Sequence, residues 1–328
     1  MAKKRVLSGM QPSGRLHLGN LMGALDNWRK LQNDYECFFF VADWHALSTN
    51  YEDTSNIREH THEIVIDWLA AGLDPEKCVI FIQSRVQEHA VLHLLLSMIT
   101  PLGWLERVPT YKEKQEQLST RDLSTYGFLG YPVLQAADIL LYRADLVPVG
   151  IDQLPHLELT REICRRFNSV YKTAVLREPL HLLTPFPKVT GCDGRKMSKS
   201  YNNAVYLYEP EKEVWEKFRT MVTDPARQRR TDKGNPDVCP VFDLHKIFTS
   251  EASRSEIDAG CRSAGIGCID CKKILNQSVR AVLDPIRENR AKLENDRVRI
   301  EEIIDSGSKK AALEAEKTLA LIHGAMKI

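Results

Sequence analysis

Apolar positions along the first half of the chain alternate between two periods. Short unbroken apolar runs at Arg5 to Ser8, Cys37 to Ala42 and Cys78 to Ile82 read as buried strands. Between them the spacing changes to that of a helix. Leu21, Met22, Leu25, Trp28 and Leu31 form one stripe. Ile57, Thr61, Ile64, Val65, Trp68 and Leu69 form a second, which Gly72-Leu73-Asp74-Pro75 ends. Strand and helix in alternation predict a parallel sheet covered by helices on both faces. Ligands of such sheets sit at the carboxyl ends of the strands. The segment at about 104–130 interrupts this rhythm, being polar, mixed in sign and weakly periodic. A helix over Tyr131 to Arg143, a strand over Leu146 to Val149 and an amphipathic helix over Asp152 to Phe167 follow.

Residues 185–200 read as loop, with Pro185, Pro187, Gly191 and Gly194. Beyond Tyr201 no apolar strand pattern remains, and 209–222, 251–260, 272–292 and 310–326 carry helical spacing. The expected division is an α/β domain over 1–200, a Rossmann-type parallel sheet, and a helical domain over 201–328.

Composition narrows the class. With 328 residues, 43% hydrophobic and 27% charged, the chain has material for a substantial core. A net charge of +1 advertises no general affinity for nucleic acid, so any RNA contact must be a local patch such as Arg227, Arg229, Arg230 and Lys233. No apolar run is long enough for a membrane span or signal sequence, and a cytoplasmic location is the expectation.

Two segments concentrate the chemistry. Val6 to Asn20 places a strand, a loop with Gly9, Pro12, Gly14 and Gly19, and a helix start in succession. Such a junction aims free N–H groups and the positive helix end at one point, an anion site. It is not a Walker A loop, because Arg15-Leu16 stands where Lys-Ser/Thr is needed. Far along the chain, Gly194-Arg195-Lys196-Met197-Ser198-Lys199-Ser200 carries two lysines three apart on a glycine-flanked loop, so both are expected to reach one polyphosphate. Tyr131, Gln135 and Asp138 share one face of a helix that is otherwise apolar nearly all round, and such a trio should face a pocket. An aspartate there can accept a hydrogen bond from a donor on the ligand. Eight cysteines are present, and four are crowded as Cys239-x21-Cys261-x6-Cys268-x2-Cys271. Clustered cysteines in a reducing compartment are more often metal ligands than disulfides, and spacing alone favours zinc over an iron–sulfur cluster.

His17-Leu18-Gly19-Asn20 and Lys196 to Ser200 resemble the HIGH and KMSKS signatures of the class I aminoacyl-tRNA synthetases. Ser8 to Gly14, Asp43-Trp44-His45-Ala46 and Gly150-Ile151-Asp152-Gln153 resemble the bacterial tryptophanyl-tRNA synthetases, in the same order and over essentially the whole chain. The resemblance implies a tryptophan–tRNA ligase that joins L-tryptophan to tRNA(Trp) using ATP with Mg2+, built as a homodimer. It implies that His17, Asn20, Lys196 and Lys199 are catalytic. ATP would be held by Gln11, Pro12, Ser13, Gly19, Asn20, Gly150, Ile151, Asp152, Val189, Lys196, Met197, Ser198, Lys199 and Ser200. Tryptophan would meet Ser8, Gly9, Gln11, His45, Tyr131, Gln135, Asp138 and Gln153, with Asp138 accepting the indole N–H. The segment 104–130 would be a connective insertion contributing to the dimer, and 191–200 the KMSKS loop. Lys112 and Lys114 would reach the phosphates or sit on an exposed charged helix. One subgroup of these enzymes carries a [4Fe-4S] cluster in its helical domain on similarly spaced cysteines followed by Lys-Lys. Cys239, Cys261, Cys268 and Cys271, ahead of Lys272-Lys273, are therefore expected to hold such a cluster, with Zn2+ as the alternative. A tyrosyl-tRNA synthetase and a non-catalytic RNA-binding paralogue are the competing readings. An intact pair of signatures argues against the second.

Overall fold

The protein is described by a computed structural model, which describes residues 3–108, 124–183 and 188–328. Most of the expected connective insertion, with Lys112 and Lys114, lies outside the described residues, as do Pro185 and Pro187.

Five strands form one parallel sheet: β1 (Arg5–Met10), β2 (Glu36–Val41), β3 (Cys78–Ile82), β4 (Leu146–Val149) and β5 (Leu180–Leu183), in the order β3-β2-β1-β4-β5. The chain turns from one half of the sheet to the other between β1 and β4, where the strand order reverses. Ligands of this architecture bind there. The run Cys37 to Val41 is buried throughout, because helices cover both faces and leave no side for polar residues. The first strand is longer than its apolar run predicts, since Gly9 and Met10 continue the pairing with Phe40 and Val41. The short strand β5 is missed by periodicity: its four residues, largely exposed on the sheet edge, carry no alternation.

Helix α1 covers residues 18–34, with a first turn at Leu18–Asn20, a wider π turn at Leu21–Leu25 and regular helix over Asp26–Asp34. It is followed in chain order by α2 (Asp43–Asn50), α3 (Ile57–Ala70), α4 (Glu88–Ser97), α5 (Tyr126–Leu141) and α6 (Leu154–Val170). Beyond residue 200 come α7 (Glu211–Thr220), α8 (Pro240–Phe248), α9 (Glu251–Arg262), α10 (Cys268–Leu293) and α11 (Arg297–Met326). Three of these, α2, α4 and α8, were not legible as helices.

One apolar cluster joins Trp28, Phe39 and Trp68 with Leu275, Val279 and Leu283 of α10. The other joins Phe38, Phe81 and the inner faces of α4, α5 and α6 with Ala311, Ala315 and Ile322 of α11. The last helix thus returns to the sheet. A Cβ added at Gly307 would lie 1.8 Å from the Ile80 carbonyl oxygen, so only glycine lets the α11 backbone close over β3. That contact also covers the sheet edge. Arg290 of α10 pairs with Glu63 and Asp67 of α3 in a buried ionic group, a second tie between the late helices and the first half.

Candidate active site

The sheet opens where β1 and β4 part. Among the described residues they pair only at Val6 and Leu146. Pro148 has no N–H to continue the ladder, so the strands are free to splay towards their carboxyl ends. A cavity of about 370 Å³ occupies the gap, walled by Leu7, Ser8 and Gly9 on one side and Val147, Pro148 and Val149 on the other. The ring of Phe40 fills the space where a side chain at Gly9 would stand, 2.5 Å from an added Cβ. All eight residues expected to meet the amino acid, Ser8, Gly9, Gln11, His45, Tyr131, Gln135, Asp138 and Gln153, line this one cavity. Trp28, Gly23 and Ala24 of α1 complete it and were not anticipated.

Helix α5 delivers Tyr131, Gln135 and Asp138 to the cavity along one face, as their spacing predicts. What the sequence did not show is how they are held. Tyr131 Oη and His156 Nε2 lie 2.6 Å apart, both buried. Asp138, 1% exposed, accepts from His89 Nδ1 at 2.6 Å and Gln83 Nε2 at 2.7 Å on Oδ1, and from His45 Nε2 at 2.7 Å on Oδ2. Burial alone would raise its pKa. The neighbouring imidazoles and their hydrogen bonds outweigh it and hold the carboxyl below its ordinary value, so it is an acceptor near neutrality. His89 Nε2 in turn meets Tyr142 Oη at 2.8 Å.

A second cavity of about 590 Å³ adjoins the first and shares Gln11 with it. Pro12, Ser13, His17 and Asn20 line one side, and Ser198, Lys199 and Ser200 another. The two signature segments therefore meet around one space. They are also tied through the backbone, because Leu18 N–H donates to Val205 at 2.9 Å and Leu207 N–H to Leu16 at 2.9 Å. Lys199 Nζ donates to the carbonyls of Ser13 (3.0 Å) and Gly14 (2.9 Å) and to Ser13 Oγ (3.2 Å), spanning the cavity mouth. Gly14 makes the turn beneath it with φ +95°, a conformation costly for a residue with a side chain. Burial pushes Lys199 down to about 8, although Asp67 works in the opposite direction. Burial, and then the Lys199 charge, bring His17 down to about 4, so its ring is neutral at pH 7. Its Nδ1 is buried without a partner among the described residues, a polar atom available to a ligand. Asn20 accepts the His17 backbone N–H at 3.0 Å, capping α1 as well as lining the cavity. Thr49, Asn50, Asn56 and His60 form the far wall, which no sequence signal indicated.

The KMSKS segment is a hairpin. Thr190 and Lys196 are bridged, Met197 N–H donates to Val189 O at 2.8 Å, and Gly194 turns the chain with φ +85°. Asn203 braces it, giving Nδ2 to Asp193 (2.7 Å) and Lys196 O (3.1 Å) and accepting from Ser198 N–H (2.8 Å). Several expected nucleotide residues stand apart from the cavity lining. Val189 and Met197 are core residues that anchor the hairpin. Gly19 lies under the His17 ring, 2.8 Å from an added Cβ. Lys196 is exposed and points to neither cavity. Gly150 lines the first cavity, while Ile151 and Asp152 are exposed beside it.

Cys239 caps α8, Cys261 lies in α9, and Cys268 and Cys271 open α10. Burial raises the Cys271 thiol to about 12, with Cys239, Cys261 and Cys268 adding to it, so the four sulfurs share one electrostatic neighbourhood. Among the described residues, no group of three or more His, Cys, Asp or Glu side chains is close enough to hold a metal ion. Arg227, read from the sequence as part of a phosphate-binding run, is buried against this segment instead. It donates to Cys261 Sγ at 3.5 Å and to Ile266 O. Lys272 is buried as well, giving its protons to the Arg219 and Met221 carbonyls. No helix among the described residues is long and apolar enough to cross a membrane.

Residues 2–284 match the family described as tRNA synthetases class I (W and Y). The chain is similar to the tryptophan–tRNA ligase of Thermotoga maritima, 53% identical over 326 residues and covering 99% of each chain. It is also similar to the tryptophan–tRNA ligase of Ralstonia nicotianae, 45% identical with 99% of each covered. Among solved structures, the tryptophanyl-tRNA synthetase of Campylobacter jejuni complexed with ADP and tryptophan superposes with a TM-score of 0.88 at 33% identity, covering 99% of this chain and 100% of that one.

Proposed function

The chain belongs to the class I tRNA synthetases of the tryptophan and tyrosine group, and from this premise we propose how its residues carry the reaction. The reaction is that of a tryptophan–tRNA ligase: L-tryptophan and ATP give tryptophanyl-adenylate and pyrophosphate, and the tryptophanyl group then passes to tRNA(Trp) with release of AMP. The observation that carries the assignment of residues is the meeting of two adjoining cavities at Gln11, one built around Asp138 and one around Lys199.

The attacking carboxylate needs no general base. Positioning and charge stabilisation are what the protein must supply. Tryptophan lies in the cavity between β1 and β4, its indole N–H given to Asp138. ATP lies in the second cavity with its phosphates at the start of α1. Neutral His17 donates a hydrogen bond there and adds no charge, while the helix N-terminus favours the anion. Lys199 exchanges the Ser13 and Gly14 carbonyls for phosphate oxygens and stabilises the leaving pyrophosphate. Lys196 joins it only if the hairpin moves. Mg2+ would travel with the nucleotide. A transcript of tRNA(Trp) should accept labelled tryptophan from the enzyme with ATP, and no charging with a folded protein would overturn the assignment.

Lys199 also sets a pH limit. It is charged below about 8 and loses its proton as the pH rises through that value, so kcat/KM for ATP in pyrophosphate exchange should fall on the alkaline side. Lys199→Arg keeps the charge and should flatten that limb. If the limb persists unchanged, another group causes it.

The finer readings rest on narrower support. Residues 1–200 form the sheet domain and 201–328 the helical tRNA-binding domain, with α11 folded back on the sheet; the exposed Arg229, Arg230 and Lys233 remain for RNA phosphates. A homodimer is supported by an apolar strip: Val91, Leu94 and Met98 at helix spacing, with Leu102 and Tyr126 beside them, the last three 61–70% exposed. The enzyme works in the cytoplasm. Cys239, Cys261, Cys268 and Cys271 would hold a [4Fe-4S] cluster, a reading supported by four soft donors in one electrostatic neighbourhood, with Arg227 to offset their charge, and one that requires the sulfurs to draw together. The cluster would staple this region and take no part in activation, which transfers no electron. Protein purified without oxygen should be brown, with about four irons and four sulfides per chain. Stoichiometric zinc without iron would replace that reading. Cys268→Ser should weaken tRNA charging yet spare pyrophosphate exchange, whose residues lie before 201.

A further inference from the structure

We propose that His89 and Gln83, which do not line the substrate cavity, are the positioning residues that make Asp138 a reader of a single N–H donor. A carboxylate offers about four lone-pair positions, two on each oxygen. Oδ1 of Asp138 already receives His89 Nδ1 at 2.6 Å and Gln83 Nε2 at 2.7 Å. It is therefore saturated. Among the described residues Oδ2 receives only His45 Nε2, at 2.7 Å, which leaves one lone pair for the cavity that Asp138 walls.

The direction of each bond follows from the partners. An ionised carboxylate has no hydrogen to give, so His89 must carry its proton on Nδ1. Its other nitrogen, Nε2, lies 2.8 Å from Tyr142 Oη. His89 is fully buried, 0% exposed, among the rings of Phe40, Phe81 and Tyr142. Gln83 is also 0% exposed. Neither side chain can turn away, so Asp138 is fixed with one oxygen closed and one open. Without them Oδ1 would be free to rotate into the cavity or to take a proton. A protonated Asp138 could donate as well as accept, and selectivity for a donor on the substrate ring would be lost.

The inference rests on Asp138 accepting the indole N–H, and the test separates the two. The measured quantity is the ratio of kcat/KM in ATP–pyrophosphate exchange for tryptophan over its benzothiophene isostere, which has sulfur in place of the N–H. The wild type should discriminate strongly. His89→Leu should lower that ratio roughly tenfold or more, mostly through KM for tryptophan, with KM for ATP unchanged. His89→Asn, whose amide can donate from the Nδ1 position, should restore much of the ratio. Gln83→Met removes the other donor to the same oxygen and serves if His89→Leu does not fold. A histidine that merely filled the core would lower the melting temperature and leave the ratio alone. An unchanged ratio in both His89→Leu and Gln83→Met overturns the proposal while the role of Asp138 stands. A wild type that accepts both substrates equally overturns the role of Asp138 and the proposal with it.

Discussion

Lys199→Ala should lower the rate of tryptophan activation by about a hundredfold or more, roughly 2.7 kcal/mol of transition-state stabilisation, and barely change tryptophan binding. The asymmetry follows from where the ammonium sits. Its three hydrogen bonds reach across to Ser13 and Gly14, at the mouth of the second cavity, proposed for ATP, and not of the first, proposed for tryptophan. In the ground state these carbonyls already satisfy it, so exchanging them for ATP oxygens yields little net binding. As the bond to the leaving group breaks, negative charge builds on the pyrophosphate. A cation held in a partly dry site then contributes far more than it would in water. Rapid-quench measurement of adenylate formation, beside a tryptophan titration followed by fluorescence, checks both halves. A variant that loses tryptophan affinity and keeps its activation rate would contradict this placement.

The second large effect is expected at Asp138. Asp138→Ala takes away the acceptor proposed for the indole N–H and also strands His45, His89 and Gln83, three buried donors. Each unpaired donor costs about 1–3 kcal/mol. Loss of tryptophan affinity by tenfold or more should thus come with a marked fall in melting temperature. Asp138→Asn keeps one acceptor oxygen but turns an N–H2 towards a donor, and it should lose tryptophan binding with a smaller loss of stability. An alanine variant that stayed as stable as the wild type would mean that the three bonds do not hold the carboxylate in solution.

The sheet was legible because its strands are buried on both faces. Cys37 to Val41 and Cys78 to Ile82 have no polar alternation to confuse with anything else. Edge strand β5 had no such signature. Helix α4 was hidden for the opposite reason: in Glu88–Ser97 the apolar residues run nearly all round, with no clean stripe. The candidate site was legible where chemistry fixes sequence neighbours, as in His17 with Asn20 or Tyr131 with Asp138, pairs that each line one cavity. It was opaque where contacts join distant segments. Nothing local marks Asn203 as the brace of the KMSKS hairpin, or His156 as the partner of Tyr131. His89 left one trace, a histidine within the apolar run of α4, and only the fold shows that it faces Asp138. The basic character of Arg227 misled in the other direction, since its guanidinium turns inward to a sulfur and a carbonyl.

The fold alone does not choose the amino acid, because an aspartate on α5 can accept from an indole or a phenol. ATP–pyrophosphate exchange with the two amino acids in parallel decides the matter most directly. Tryptophan should support rapid exchange, and tyrosine at the same concentration should support almost none. Exchange driven by tyrosine, or by neither amino acid in a folded enzyme, would contradict the assignment.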